Sequence, residues 1–254
     1  MLRFEGQIAV ITGAGSGIGE ATAQRMAKEG ARVILVGRTK EKLIQAASAI
    51  DTRCERKCTD IFPADVTKEE DVKELAEFIK EKYGQIHLLI NNAGGSVNST
   101  IKETTLEQWK QVQDVNLTSV FLVTKHLIPF LTEEIAENRS IVNIASLSGH
   151  KAGAQIPHYS AAKAALINFT KAMAFELAPH GIRVNSVSPG FVETPLTQPG
   201  LENERFTKAI EKNTALKRVG KPDEIANVIA FVASKEASYM TGSDLLVDGG
   251  WLIV

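Results

Sequence analysis

The stretch Thr12–Gly19, TGAGSGIG, decides how this chain is read. It follows an apolar run, Gln7–Thr12 (QIAVIT), and leads into a segment of good helix formers, Gly19–Gly30 (GEATAQRMAKEG). A strand that runs through glycines into a helix brings bare backbone N–H groups and a helix N-terminus to one point, which suits a phosphate. Glycines there permit the tight turn and the close approach of a pyrophosphate. Gly13, Gly17 and Gly19 are spaced G-x-x-x-G-x-G rather than G-x-G-x-x-G, and no G-K-[ST] follows, so a Walker loop is excluded. A turn of this kind also occurs where close strand–helix packing is all that is needed, so its surroundings must decide.

Outward from this turn the chain alternates. Short β-branched runs recur as RVILV, IHLLINNAG, SIVNIAS, GIRVNSVSPG and SDLLVDGG, and a weaker strand is expected near 58–64 despite Asp60 and Pro63. Between them lie segments of helical periodicity, among them TKEKLIQAASAI, KEEDVKELAEFIKEKYG and KPDEIANVIAFVASK. Continuous apolar strands alternating with helices imply a parallel sheet covered on both faces. Right-handed crossovers make it doubly wound. With the strand at 58–64, seven strands are expected in one α/β domain over residues 1–254. Two long helices, roughly 106–131 and 158–178, are apolar over much of their circumference, as helices at a core or a subunit contact are. The segment 191–213 is rich in Pro, Thr, Glu and Asn, and reads as a partly ordered lid.

Composition narrows the function classes. The chain has 254 residues, 44% hydrophobic and 23% charged, with a formal net charge of −1. This is ordinary globular composition, large enough for a stable core. No basic stripe or run of like charge suggests nucleic acid as a partner. No leader is expected in MLRFEGQIAVITGAG, and no apolar stretch of membrane-spanning length is expected either. Cys54 and Cys58 have no second Cys pair or His cluster to complete a metal site. Free thiols on the surface or at a strand end, in a reducing cytoplasm, fit them better.

A second constellation gives the chemistry. Tyr159 and Lys163, in HYSAAKAALINF, lie four residues apart and share one helix face. A phenol of unperturbed pKa about 10 is a poor proton donor–acceptor at neutral pH. A nearby ammonium is expected to lower that value and suit the pair to an alcohol or carbonyl. Ser146 lies thirteen residues upstream of Tyr159, just past the strand SIVNIAS, where parallel sheets present ligand-binding loops. Asn116 interrupts an apolar helix, VNLTSVFLV, and is therefore either exposed or held for a reason.

Taken in order, the glycine turn, NNAG at 91–94, Ser146, Tyr159-x-x-x-Lys163, Pro189-Gly190 and the DGG of 248–250 resemble the classical short-chain dehydrogenase/reductase family over essentially the whole chain. The resemblance implies a Rossmann fold and a catalytic tetrad of Asn116, Ser146, Tyr159 and Lys163. Tyr159 would exchange a proton with the substrate oxygen, Ser146 would polarise that oxygen, and Lys163 would tune Tyr159 and hold the nicotinamide ribose. Asn116 would keep a water linking Lys163 to solvent. Hydride chemistry would belong to the cofactor, with orientation and proton management left to the protein. Further cofactor contacts implied are Gly13, Ser16, Gly17, Ile18 and Gly19 at the pyrophosphate, Asp65 and Val66 at the adenine, and Asn92, Ala93 and Gly94. Pro189, Gly190, Val192 and Thr194 would frame the nicotinamide side. The family also implies a homo-oligomer, commonly a tetramer built on the two long helices and the last strand.

Which cofactor is bound is read from VILVGRTKEKL (33–43). The acid that holds a ribose 2′-hydroxyl in NAD enzymes lies about 20 residues beyond the glycine turn. Here Gly37-Arg38-Thr39 stand there. A guanidinium binds a 2′-phosphate that a carboxylate would repel. NADP(H) is therefore expected, with NAD(H) as the alternative, on Arg38 with Thr39 as a hydroxyl donor and helix N-cap. Ala14 and Ser16 supply no second cation inside the turn. The resemblance implies a small carbonyl or alcohol as substrate: a 3-oxoacyl thioester, a sugar and a cyclic ketone all remain open. The substrate loops contain His150, Gln155 and His158, with the histidines expected to be structural or solvent-facing. Rival readings are a nucleotide-sugar epimerase, another Rossmann enzyme with a separate substrate domain, and a cofactor-sensing or scaffolding protein without turnover.

Overall fold

The apolar runs become strands because their β-branched side chains pack on both faces of a sheet. A computed structural model describes residues 2–132 and 138–254. The strands are β1 (Ile8–Thr12), β2 (Arg32–Gly37), β3 (Thr59–Pro63), β4 (Leu88–Asn91), β5 (Arg139–Ile144), β6 (Ile182–Pro189) and β7 (Asp244–Val247). They form one seven-stranded sheet of order β3-β2-β1-β4-β5-β6-β7. Every pairing is parallel, including β1 on both β2 and β4. Pro63 closes β3, an edge strand, where a missing N–H costs no ladder bond.

Helices α1 (Gly17–Lys28), α2 (Lys40–Cys54), α3 (Glu69–Lys82), α6 (Pro157–Leu177) and α9 (Pro222–Ala233) are joined by α4 (Leu106–Gln113) and α5 (Ser119–Thr132). Two apolar cores result. One packs β-strand residues such as Ile11, Leu35 and Val187 against α1, α2 and α9, through Met26, Leu43 and Ile229. The other packs Val10, Ile34 and Val184 against α3, α5 and α6, through Leu75, Leu127 and Leu166. Burying each such side chain contributes about 1.5–3 kcal/mol.

The long helix expected over 106–131 is real but not regular. Between α4 and α5, Asp114–Thr118 forms a π turn, with the Ser119 N–H bonded to the Asp114 carbonyl five residues back. By length and composition the 106–132 helix could cross a membrane, contrary to expectation. Its apolarity has a local cause: Val120, Val123, Leu127 and Leu131 are buried in the second core. The segment expected as a partly ordered lid holds two helices, α7 (Gln198–Leu201) and α8 (Glu204–Asn213), the latter capped by the Asn203 side chain. Cys54 is half-buried and Cys58 is fully buried at the entry to β3, not on the surface. Burial, with the neighbouring Cys54 and Asp51, pushes the Cys58 thiol up to about 12.

Candidate active site

The order of strands reverses between β1 and β4, and a crevice opens beyond the carboxyl ends of the strands there. The glycine turn after β1 and the NNAG turn after β4 are stapled across it. The Thr12 hydroxyl accepts from the Asn92 and Ala93 N–H groups, both at 3.0 Å. The Asn92 amide donates to the Thr12 and Gly13 carbonyls at 2.9 and 3.2 Å. Only glycine fits this junction. A Cβ on Gly19 would stand 2.3 Å from the Gly13 carbonyl oxygen and 2.5 Å from the Asn92 amide nitrogen. Gly13 and Gly17 also take positive φ, 65° and 58°.

From this junction a cleft of about 1210 Å³ runs across the sheet. Gly13, Ser16, Gly17, Ile18, Arg38, Thr39, Asp65, Val66, Asn92, Ala93 and Gly94 line it, as do Ser146, Tyr159, Lys163, Pro189, Gly190, Val192 and Thr194. Two residues named from the sequence lie behind its wall. Gly19 packs under Gly13. Asn116 is wholly buried, its amide donating to the Gly95 and Val112 carbonyls at 2.7 and 2.9 Å while its oxygen accepts from the Gly95 N–H at 3.3 Å. It is therefore held for a reason: it pins the loop after β4 to the π turn. A Cβ on Gly94 would meet both the Asn116 oxygen, at 3.0 Å, and the Lys163 ammonium, at 3.6 Å. The glycine leaves room for both groups against the loop after β4.

Ser146 stands two residues beyond the end of β5, and Tyr159 and Lys163 rise from the first turns of α6, which Pro157 opens. The Ser146 hydroxyl accepts from the Ser148 N–H at 3.1 Å. The Lys163 ammonium donates to the Ile144 carbonyl at 2.7 Å and lies 5.6 Å from the centre of the Tyr159 ring. Burial lowers the Lys163 pKa from 10.5 to about 7. Burial raises the Tyr159 phenol, with a hydrogen bond to Ser146 partly offsetting it. Burial is the leading influence on both groups: it disfavours the phenolate of Tyr159 and the ammonium of Lys163 alike.

At the adenosine end Arg38 is exposed and lines the cleft. Asp65 is the one carboxylate lining the cleft among the described residues. Burial pushes its pKa up, but bonds from the Thr67 hydroxyl and N–H, helped by the charges of Arg38 and Lys68, bring it below the ordinary range. The opposite end has a wall that sequence reading missed. Phe191, after β6, meets Phe206 of α8 edge-on at 5.5 Å and Trp251 at 4.8 Å. All three line the cleft. Trp251 is set by the DGG turn, whose Gly250 and Leu252 N–H groups donate to the Asp248 carboxylate at 2.8 and 2.9 Å. Of the histidines, His150 contacts Asp244 at 2.8 Å, and His158 is buried with neither ring nitrogen hydrogen-bonded to the described residues.

Residues 13–252 match a family model described as enoyl-(acyl carrier protein) reductase. The chain is 40% identical to the 3-oxoacyl-[acyl-carrier-protein] reductase FabG of Thermotoga maritima, over 99% of this chain and 100% of the relative. It is 38% identical to a cyclohexanol dehydrogenase of an Acinetobacter species, covering 98% and 96%. A crystal structure of a short-chain type dehydrogenase/reductase from Mycobacterium marinum superposes with a TM-score of 0.92 at 35% identity, over 98% of this chain and 97% of that one. With the sheet order and the ordered motifs already described, these likenesses place the chain in the short-chain dehydrogenase/reductase family, as an NAD(P)-dependent oxidoreductase that interconverts ketones and secondary alcohols.

Proposed function

We propose that the protein is an NADPH-preferring ketone reductase, with Asn116, Ser146, Tyr159 and Lys163 as its working residues. The observation that carries the cofactor preference is Arg38. It stands at the end of β2 with no hydrogen bond or ion pair to the described residues, where an NAD enzyme places a ribose-binding acid. Asp65, the one carboxylate of the cleft among the described residues, is occupied with Thr67. The cradle fits a dinucleotide: the turn from Gly13 to Gly19 leaves backbone bare where a pyrophosphate would lie, and the α1 N-terminus faces it. Ser16, Gly17 and Ile18 would meet the pyrophosphate. Asp65, Val66, Asn92, Ala93 and Gly94 would follow the adenosine and ribose, and Pro189, Gly190, Val192 and Thr194 the nicotinamide.

When bound, the nicotinamide supplies the hydride. The protein's own work is to hold the carbonyl oxygen between the Ser146 and Tyr159 hydroxyls and to donate the Tyr159 proton to it. The raised phenol pKa keeps that proton in place for reduction at neutral pH. Lys163, pinned to Ile144, would hold the ribose hydroxyls, and Asn116 keeps the loop after β4 in register with it. The segment 191–213 acts as a lid, its Thr194 lying against Gly17. We place the enzyme in a reducing cytoplasm as a homotetramer built on the long helices and β7, where Phe121, Phe175 and Leu246 are exposed. Initial rates with cyclohexanone, a 3-oxoacyl thioester and glucose, each with both cofactors, test this reading. NADPH-dependent reduction that falls at least about a thousandfold in Tyr159→Phe is expected. Cofactor binding without turnover of any substrate would favour the sensor, and turnover that survives the substitution would overturn the proton role.

A further inference from the structure

Resting on the NADP(H) reading above, we propose that Lys42 is a cofactor-specificity residue, the second cation of the 2′-phosphate site. The glycine turn has no basic side chain of its own, since Ala14 and Ser16 stand where one would be. Helix α2 supplies one from the facing side. Lys42 lines the cleft together with Gly15, Ser16, Arg38 and Thr39. Its stem crosses the turn so closely that a Cβ on Gly15 would lie 3.1 Å from the Lys42 Cβ. A bulkier residue at 15 would push the stem away, so the bare glycine there serves the lysine as well as the pyrophosphate.

The position is locally unfavourable for a lysine. Lys42 is in the first turn of α2, at the positive end of the helix dipole, where acidic residues are preferred. Among the described residues it makes no ion pair or hydrogen bond, and neither does Arg38, which lines the same cleft. The Thr39 hydroxyl, at the N-cap position, makes no capping bond either. Two cations without an ion pair and a free hydroxyl therefore line the adenosine end, where the cleft's carboxylate, Asp65, is bonded by Thr67 and senses the charge of Arg38. A phosphate dianion satisfies all three: Arg38 as a planar fork, Thr39 as a hydroxyl donor and Lys42 as a point charge. A 2′-hydroxyl offers Lys42 no charge to neutralise.

Dissociation constants of NADPH, NADH, adenosine 2′,5′-bisphosphate and AMP, measured by fluorescence or calorimetry, test this on wild type, Lys42→Ala, Lys42→Glu and Lys40→Ala. Lys42→Ala is expected to weaken NADPH and the bisphosphate by about tenfold, with NADH and AMP unchanged. Lys42→Glu should weaken them further, and Lys40→Ala, a charge of the same helix turn outside the cleft, should change neither. Equal loss for phosphorylated and unphosphorylated ligands, or no loss at all, overturns the role of Lys42 while leaving the NADPH preference of wild type standing. Wild type that binds NADH as tightly as NADPH overturns the cofactor reading itself, and Lys42 with it.

Discussion

Replacing Lys163 by methionine removes a buried amine and keeps an unbranched stem of similar length. The wild-type side chain is 3% exposed, and burial brings its pKa down to about 7. In the unfolded chain the same amine holds its proton to about pH 10.4. Between these values the unfolded state binds more protons than the folded one, so the stability contributed at this site rises with pH. Below about pH 7 both states are protonated, and the folded protein carries the full cost of a buried charge. With a slope of about 1.36 kcal/mol per unit that sets in at about pH 7, raising the pH from about 6 to 9 stabilises wild type by about 2.7 kcal/mol at this site, and Lys163→Met not at all. The variant is therefore expected to hold its largest stability advantage near pH 6 and to lose about 2.7 kcal/mol of it by pH 9. Urea unfolding of both proteins at matched concentration reads the difference, in which every other titrating group cancels. A difference that stays flat across this range refutes the depressed pKa. A difference that grows with pH means that the buried amine is stabilised as an ammonium.

Gly19→Ala should lower stability by about 1–3 kcal/mol and weaken cofactor binding, because its methyl has no room between the Gly13 carbonyl and the Asn92 amide; thermal unfolding with and without NADPH checks it. Asn116→Ala strands the Gly95 and Val112 groups it bonds, at about 1–3 kcal/mol for each left unpaired, and should lower both the urea midpoint and kcat. Trp251→Ala removes one panel of the aromatic wall and should raise KM for a bulky ketone several-fold, leaving the cofactor dissociation constant unchanged.

What was legible in the sequence follows from the range of the interactions involved. The glycine turn and the Tyr159–Lys163 pair are local patterns, fixed by one turn or one helix face, and the structure brings both to the same cleft. Asn116 was visible as an oddity but not as a buried clasp, because its partner Gly95 lies on another element and the π turn carrying it has no sequence signature of its own. The aromatic wall was illegible for the same reason: Phe191, Phe206 and Trp251 come from three separate segments. The proximity of Tyr159 and Lys163 is readable from their spacing, whereas their desolvation depends on everything packed around the pair.

The π turn at Asp114–Thr118 has a consequence for how this chain tolerates change in length. One extra residue in a helix rotates all that follows by about 100°. Val112, Asn116 and Val120 face inward across the joint, so its extra residue sets how the first half is turned relative to the second. The first half turns only Val112 inward, whereas the second buries Val120, Val123, Leu127 and Leu131, so the apolar character of the long helix lies in its second half. A single-residue deletion here would heal the helix into a regular rod and swing its first half away from Gly95, leaving the second half seated. A deletion that a surface loop would absorb unnoticed would, at this joint, uncouple the cleft from the core.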